Sequence, residues 1–530
     1  MPQNVSDANS ISPAGKLDRL DRLFKAAVDV LTPRRILVLI FLLTIALMFM
    51  YRPLSQTELG DSALYDYIAQ SIVRGQIPYR DIVDIKAPGS FYLSAIAMEA
   101  GRAVGVRDIL AARLLHVLMM GLLSVVVFVV GDSYLRNRFA AVLSVLFLLT
   151  SQSMALWTVG GGQPKLPMIL FGMVTLLLIA KDRPFWAGVS SMLACLCWQP
   201  GLLFTGVAIL MFSRYLTTWR DLRALKVLAG ALIPLAVTLL YFQWRGALDE
   251  FWTWTVVFNY SVYARNAAGA EGTALMHALN VSLKIFGLDV ILVALSLIGF
   301  VWFGIQRIRE RFKSGGVLQS PGLFRDAIII VPLVYFAACA VRFNGGPYLM
   351  PFFPFIGMFF GWFVVEMYRL LKTKMSRSGL NHTSNADWLA RAIVVVMLGL
   401  IAYRAIEYRL FEYVVTLQTQ DKTFEAISSR LSDSDSIYVH GTSELLVLLN
   451  RPNLNPYILL DWGKDDYIAA KDYGGSFAAI VDEIKTRSPK VIGLTRLQRV
   501  RHRDELSKLV ENYERLELKY GYEFFVKKKE

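Results

Sequence analysis

Residues 52–107 hold the side chains whose types and spacing could do chemistry. Asp61 stands before an apolar run in which Leu64, Tyr67, Ile68, Ser71 and Ile72 recur at helical spacing, and Gly75 stops that run. A tight polar stretch follows, Pro78-Tyr79-Arg80-Asp81, and then Asp84, Lys86 and Pro88. From Pro88-Gly89 a second apolar pattern runs through Phe91, Leu93, Ile96 and Ala97 to Gly101 or Gly105. Two amphipathic helices of this length suit a membrane interface. The Asp and Lys residues between them would then line a pocket at the level of lipid headgroups. Lys86 either holds a phosphate there, as a compact point charge, or is simply solvated. Arg80 is a further cation for the same anion. Asp61 is either a catalytic carboxylate or the N-cap of the first helix, accepting from free backbone amides. Asp81 and Asp84 are turn residues or, with Tyr79, supports of the site.

Composition says which elements must hold this segment. Of 530 residues, 55% are hydrophobic and 18% charged, and the mean hydropathy is +0.45. A soluble domain carries roughly 25% charged residues, so most of this chain cannot present a polar surface to water. Disorder, collagen and coiled coil are excluded as well. About 20 apolar residues cross the hydrocarbon of a bilayer. Windows of that kind are read near 35–51, 109–130, 138–154, 166–180, 184–198, 200–214, 226–244, 285–305, 326–341, 347–368 and 388–406. The expected fold is an α-helical polytopic membrane protein of about eleven transmembrane helices, with 35–411 as its membrane domain.

Lys and Arg concentrate in the alternate connections that a cytoplasmic N-terminus would put inside, such as Arg136 with Arg138 and Arg307 with Arg309. The +14 net charge is therefore a topology signal and not a nucleic-acid footprint. Residues 1–34 are expected to form a cytoplasmic tail, since they lack a signal-peptide cleavage pattern. An odd number of spans then puts the C-terminus outside. Cys195, Cys197 and Cys339 lie in apolar runs and read as buried small residues, not as a disulfide or metal clip.

The other outside connections add candidates. Arg113, about one turn inside the second span, either snorkels or joins the anionic site. His116 lies deeper and reads as a packed or pore-facing residue rather than a metal ligand. The aromatics of 245–265 suit an interfacial belt, or a wall lining a sugar or lipid. Arg342 is a flanking charge or a second phosphate contact, and Tyr348 opens the next span. After about residue 412 strands alternate with helices. Strands are expected at 436–440, 491–494 and near 522–526, and helices at 442–449, 477–487 and 503–516. This pattern reads as a small C-terminal α/β extracytoplasmic domain, 412–530, that scaffolds or docks an acceptor. It has no Gly-rich phosphate loop, metal cluster or nucleophile elbow.

The string GDSALYDYIAQSIVRGQIPYRDIVDIKAPGSFYL resembles the first outside loop of polyprenol-dependent glycosyltransferases of the GT-C fold. The likeness is to the bacterial branch with protein mannosyltransferase-like and aminoarabinose transferase-like membrane domains, including lipid A core galacturonosyl transferases. AARLL at 111–115 and SPKVIGL in the tail continue it. In that family the first-loop acid is taken as the general base, which implies that role for Asp61. The loop Lys is taken to contact the donor phosphate, which implies that role for Lys86, and a late-loop Arg approaches the phosphate, which points to Arg342. Related late loops often have a His-Tyr or Arg-Tyr pair where Pro347-Tyr348 stand here, so Tyr348 is carried over as a supporting residue. This chain departs from the pattern in having Ser62 after Asp61, where many members have a second acid. Its second outside loop, TVGGGQPKLPM, also lacks an acid.

The resemblance implies an integral-membrane enzyme that moves a sugar from a polyprenyl-phosphate carrier to a hydroxyl on a lipid, glycan or protein. Transfer would occur at the outer face of a bacterial inner membrane, with inversion. No cofactor is assigned, and a need for a divalent metal is left open. The alternative is a non-catalytic subunit that binds, flips or assembles lipid-linked glycans. An ion-coupled transporter is disfavoured, because the spans show no ion-pair series and no inverted repeat.

Overall fold

The computed structural model describes residues 33–213, 221–263, 274–313, 322–341, 343, 345–377, 383–411, 415–441, 443–460, 463–471, 477–494, 508–517 and 523–528. Helix α1 (Pro33–Met50) leads into the loop at 52–107, which carries α2 (Gly60–Val73) and α3 (Gly89–Ala103). There follow α4 (Asp108–Leu135), α5 (Arg138–Thr150), α6 (Gln152–Val159), α7 (Lys165–Ala180), α8 (Pro184–Cys197), α9 (Leu202–Ser213) and α10 (Arg223–Trp244). Next come α11 (Leu248–Trp252), α12 (Ala274–Phe286), α13 (Val290–Lys313), α14 (Ala327–Val341), α15 (Phe353–Arg377) and α16 (Thr383–Phe411).

Among the described residues, α4, α10, Val290–Phe312, Leu323–Ala340 and Gly346–Lys374 are long and apolar enough to cross a membrane. Helices α5 and α6 would together make a sixth, bent by 66°. The bend splits the expected span at 138–154, where the Ser151 hydroxyl accepts from the Met154 amide and starts a new helix. Another difference falls at 285–305. Gly287, at φ +50°, breaks the run into α12 and α13. The bundle packs around Met120, Leu123, Leu148, Met173, Met211 and Met358, all fully or almost fully buried. Small residues set the close crossing of α8 on α10. A Cβ on Gly188 would stand 2.0 Å from the Val227 carbonyl oxygen, and one on Gly230 would stand 2.0 Å from that of Phe185.

The tail contains α17 (Leu417–Ser428), β1 (Ile437–His440), α18 (Ser443–Leu449), α19 (Lys464–Lys471), α20 (Phe477–Arg487), β2 (Val491–Leu494), β3 (Tyr513–Glu517) and β4 (Glu523–Lys527). The sheet order is β1-β2-β4-β3, with β1 parallel to β2 and the other two pairs antiparallel. The expected helix at 503–516 is corrected at its end, because Tyr513–Glu517 is a strand paired with β4, Arg515 opposite Phe525. The strand is decided by that pairing partner, which local pattern does not reveal. Residues 503–507 lie outside the described residues.

The expectation that both loop helices lie in the membrane interface also needs correction. Every residue of α2 from Ala63 to Ser71 is buried, because the tail domain covers the face turned away from the bundle. Leu64 and Ile68 share a core with Phe424, Ile437, Val439 and Leu446. Helix α3 does keep an apolar residue outside, with Ile96 exposed.

Candidate functional site

Asp61 is the second residue of α2, exposed on its first turn. Leu59 occupies the N-cap position and makes no side-chain cap bond, so Asp61 is not the cap. The carboxylate of Asp61 acts electrostatically on Lys86, Asp84, Tyr65 and Lys165. These residues come from α2, from the stretch after it and from the start of α7, and their mutual electrostatics make them one cluster, here called the chamber.

Lys86 is half-buried, and its backbone is gripped from several sides. Its amide donates to Asp84 Oδ1 at 2.7 Å, and its carbonyl accepts from Tyr79 Oη at 2.7 Å. The preceding carbonyl, of Ile85, accepts from Gln199 Nε2 at 2.7 Å and from Asn259 Nδ2 at 2.8 Å. Tyr79 can reach because its backbone takes φ +74°. Its ring is wedged edge-on between Phe242 and Phe251, each centroid 5.4 Å away. Tyr79 and Asp84 both hold the Lys86 backbone. Burial opposes the charge on Lys86, but Tyr348, Tyr263, Asp84 and Asp61 together outweigh it and hold the ammonium above the usual lysine range. Burial likewise pushes the Asp84 carboxyl up, against the pull of Lys464 and of the Lys86 amide and ammonium.

Lys165 stands across the chamber and is 3% exposed. Its Nζ lies 4.9 Å from the Trp198 ring centroid and 5.3 Å from that of Tyr348, and it donates to Gln163 Oε1 at 3.1 Å. Gln163 is fixed in turn by its amide, which donates to His116 Nε2 at 3.1 Å, while His116 Nδ1 faces the Ala112 carbonyl at 2.9 Å. His116 is therefore a packed residue that anchors the second loop. Gly161 and Gly162, at φ +76° and +55°, let this loop lie against α2. A Cβ on Gly162 would stand 2.7 Å from the Ser62 carbonyl oxygen. Among the described residues neither lysine forms an ion pair, and Lys86 Nζ lies 5.8 Å from the Tyr263 ring centroid. Burial, and then the Lys86 charge, lower Lys165 to about 7 against the pull of Asp61, so an anion entering the chamber would restore its ammonium. Beside it, an apolar groove of about 480 Å³ starts at Pro88 and runs past Tyr92, Ile96, Leu193, Val237 and Tyr241.

No family model matches this chain. A dolichol phosphate-mannose mannosyltransferase of Haloferax volcanii is 22% identical over 259 residues, 49% of this chain. That match spans 54% of the relative, so about half its length is compared. The solved structure of ArnT from Cupriavidus metallidurans bound to undecaprenyl phosphate superposes with TM-score 0.60 at 14% identity. It covers 93% of this chain and 98% of that one. The archaeal oligosaccharyltransferase AglB from Archaeoglobus fulgidus, in complex with an inhibitory peptide and a dolichol-phosphate, gives TM-score 0.53 at 11% identity. It covers 91% of this chain and 73% of that one.

The chain has the GT-C fold. With its apolar helices, this makes it an integral membrane protein.

Several residues expected at the site of this GT-C fold stand elsewhere. Arg113 is fully buried and committed to Glu58 at 2.7 Å and to the carbonyls of Gln56 at 2.6 Å and Thr57 at 3.1 Å, so it is not free for a donor phosphate. Arg80 is paired with Asp81 at 2.8 Å and donates to the Arg245 carbonyl at 3.1 Å, on the exposed side of the turn. Asp81 also accepts from the Ile77 amide at 2.7 Å, so it is a turn residue. Arg342 lies outside the described residues. Tyr348 does face the chamber, against Lys165 and Trp198. Lys165, Gln199 and Asn259 were not singled out by sequence. The one available signal was a lysine next to a glycine run in a loop read as outside. Among the described residues no group of three His, Cys, Asp or Glu side chains is placed to hold a metal ion.

Proposed function

We propose that this protein is a glycosyltransferase that moves a sugar from a polyprenyl-phosphate carrier to an acceptor hydroxyl at the outer face of the membrane. The observation that carries this reading is the chamber that gathers exposed Asp61, the Lys86 ammonium and Lys165, which burial lowers to about 7 and a bound anion would charge, beside an apolar groove. The lysines would hold the donor phosphate and the groove the first units of its chain. The acceptor oxygen attacks the anomeric carbon, the carbon–oxygen bond to the phosphate breaks, and Asp61 takes the hydroxyl proton. One displacement inverts the anomeric centre. The ammoniums offset the charge that grows on the leaving phosphate. Arg342 would add a third cation, as the late-loop Arg of the family it resembles implies. The undecaprenyl phosphate and dolichol-phosphate of the two structural neighbours, and the mannosyltransferase name of the sequence relative, support a donor of this class.

The test uses purified protein in lipid with a panel of radiolabelled polyprenyl-phosphate sugars and cell-envelope acceptor. Asp61→Asn is expected to lower the turnover number by roughly 10²–10⁴-fold, the usual worth of a general base, while still binding polyprenyl phosphate. Lys86→Ala is expected to weaken that binding. Full transfer by Asp61→Asn would sink the mechanism. A wild type that binds polyprenyl phosphate and transfers nothing would favour a binding or assembly subunit.

A further inference from the structure

The tail domain reaches the backbone just ahead of the chamber's acid. Glu58, Leu59 and Gly60 lead into Asp61, and this strip is held by side chains from α17 and α18. Gln420 brackets Glu58 as a paired strand would. Its Oε1 accepts from the Glu58 amide at 2.8 Å, and its Nε2 donates to the Glu58 carbonyl at 2.7 Å. Glu444 Oε1 accepts from the Gly60 amide at 2.9 Å, one residue before Asp61. Just upstream, the Leu417 amide donates to the Ser55 carbonyl at 2.9 Å. Gln420 and Glu444 are 2% and 6% exposed, so water does not compete for these bonds.

These bonds do more than dock one domain on another. Hydrophobic contact between the tail and α2 runs through Leu64 and Ile68, one to two turns beyond Asp61. It would hold the helix without fixing its first turn. Gly60, at φ +57°, has no Cβ and nothing within 4 Å of where one would be, so the backbone there is free to swing. The carboxyl oxygen on its amide removes that freedom at the residue before the acid. Glu58 is fixed from below as well, by its ion pair with Arg113.

We propose that Gln420 and Glu444 are positioning residues for the transfer reaction: by fixing the backbone at Glu58 and Gly60 they set where the Asp61 carboxylate stands against the bound donor. This rests on the glycosyltransferase reading above. The outer domain is then part of the catalytic apparatus.

The experiment uses the full chain in lipid and compares Gln420→Leu, Glu444→Leu and Glu444→Gln with wild type and Asp61→Asn. Each is measured for turnover and KM with the polyprenyl-phosphate sugar that wild type uses, for binding of polyprenyl phosphate, and for hydrogen exchange of the 58–66 amides without ligand. Both Leu variants are expected to lose roughly 10–100-fold in turnover, the cost of a misplaced group. Their KM and polyprenyl phosphate affinity should stay within about threefold of wild type, because Lys86 and Lys165 are untouched. Glu444→Gln keeps an oxygen for the Gly60 amide and should restore most of the turnover and the slow exchange. Wild-type turnover in the Leu variants overturns the proposal, and so does a Glu444→Gln variant as impaired as Glu444→Leu. A loss of turnover that comes with equal loss of phosphate binding also overturns it, by showing collapse rather than misplacement. Wild type that transfers no sugar from any donor overturns the transferase reading, and the positioning role falls with it. Active wild type with unaffected variants overturns the positioning role alone.

Discussion

Lys86 shows how much of a site lies in the backbone that carries it. Four side chains from three parts of the chain hold the Ile85–Lys86 peptide, so the ammonium enters the chamber from a fixed point. Gln199 and Asn259 share one acceptor, the Ile85 carbonyl. Removing one donor leaves that oxygen with a partner and should cost about 0.5–1.5 kcal/mol. Removing both leaves a buried acceptor unsatisfied, which costs about 1–3 kcal/mol beyond the bonds themselves. Gln199→Leu and Asn259→Leu should therefore combine more than additively, both in thermal stability and in KM for the donor. A double-mutant cycle reads the excess, and a strictly additive pair would mean that the carbonyl is not held as a unit.

At the scale of the element, α2 is seated by carboxyls as well as by apolar contact. Asp66 is fully buried beside Glu58. Burial first, and then Glu58, push Asp66 well above the ordinary carboxyl range, against the pull of Arg113. Burial raises Glu58 also, against the same arginine. An acid with a raised folded value holds its proton after the unfolded chain has released its own. Its contribution is therefore complete below the ordinary carboxyl range and is lost as pH rises through the folded value, at about 1.4 kcal/mol per pH unit. Wild-type melting temperature should fall over that rise, and Asp66→Asn should flatten the fall, leaving the part due to Glu58. Equal slopes in the two proteins would show that Asp66 carries no proton in the fold. The two loop helices themselves were readable from sequence, because apolar spacing, Pro88-Gly89 and Gly75 are local signals. The partners were not. Arg113 read as a cation for the anionic site because Glu58 is 55 positions away with no pattern linking them. Lys165 was not singled out because Trp198 and Tyr348 reach it only through the packing of α7 and its neighbours. The strand Tyr513–Glu517 was misread for a similar reason, since its partner β4 decides it.

The whole molecule is arranged so that the loop carrying α2 and α3 lies between two bodies, the helical bundle and the tail sheet. Strands β1 and β2 are buried on both faces, and each face meets a different part of the loop. Tyr438 and Ile492 share a core with Tyr79, Val83 and Trp254, while Ile437, Val439 and Val491 share one with Leu64 and Ile68. The alternation of a strand thus puts different residues of the loop on opposite sides of one sheet. Hydrogen bonds join them too, the Val83 amide to the Pro456 carbonyl at 3.0 Å and the Asn453 amide to Tyr67 Oη at 2.8 Å. Loop and tail domain should therefore open as one cooperative unit. Ile437→Ala, which empties a 1% exposed position in β1, should cost about 2–5 kcal/mol in that unit. Hydrogen exchange should then quicken in α2 over 63–71 together with β1 and β2, while α4 and α7 in the bundle keep their protection. Faster exchange confined to the sheet would make the tail an independent domain resting on the loop. Faster exchange in both ties the integrity of the chamber to the tail domain. A chain losing that domain would then lose the seat of Asp61 before losing any residue that touches the donor.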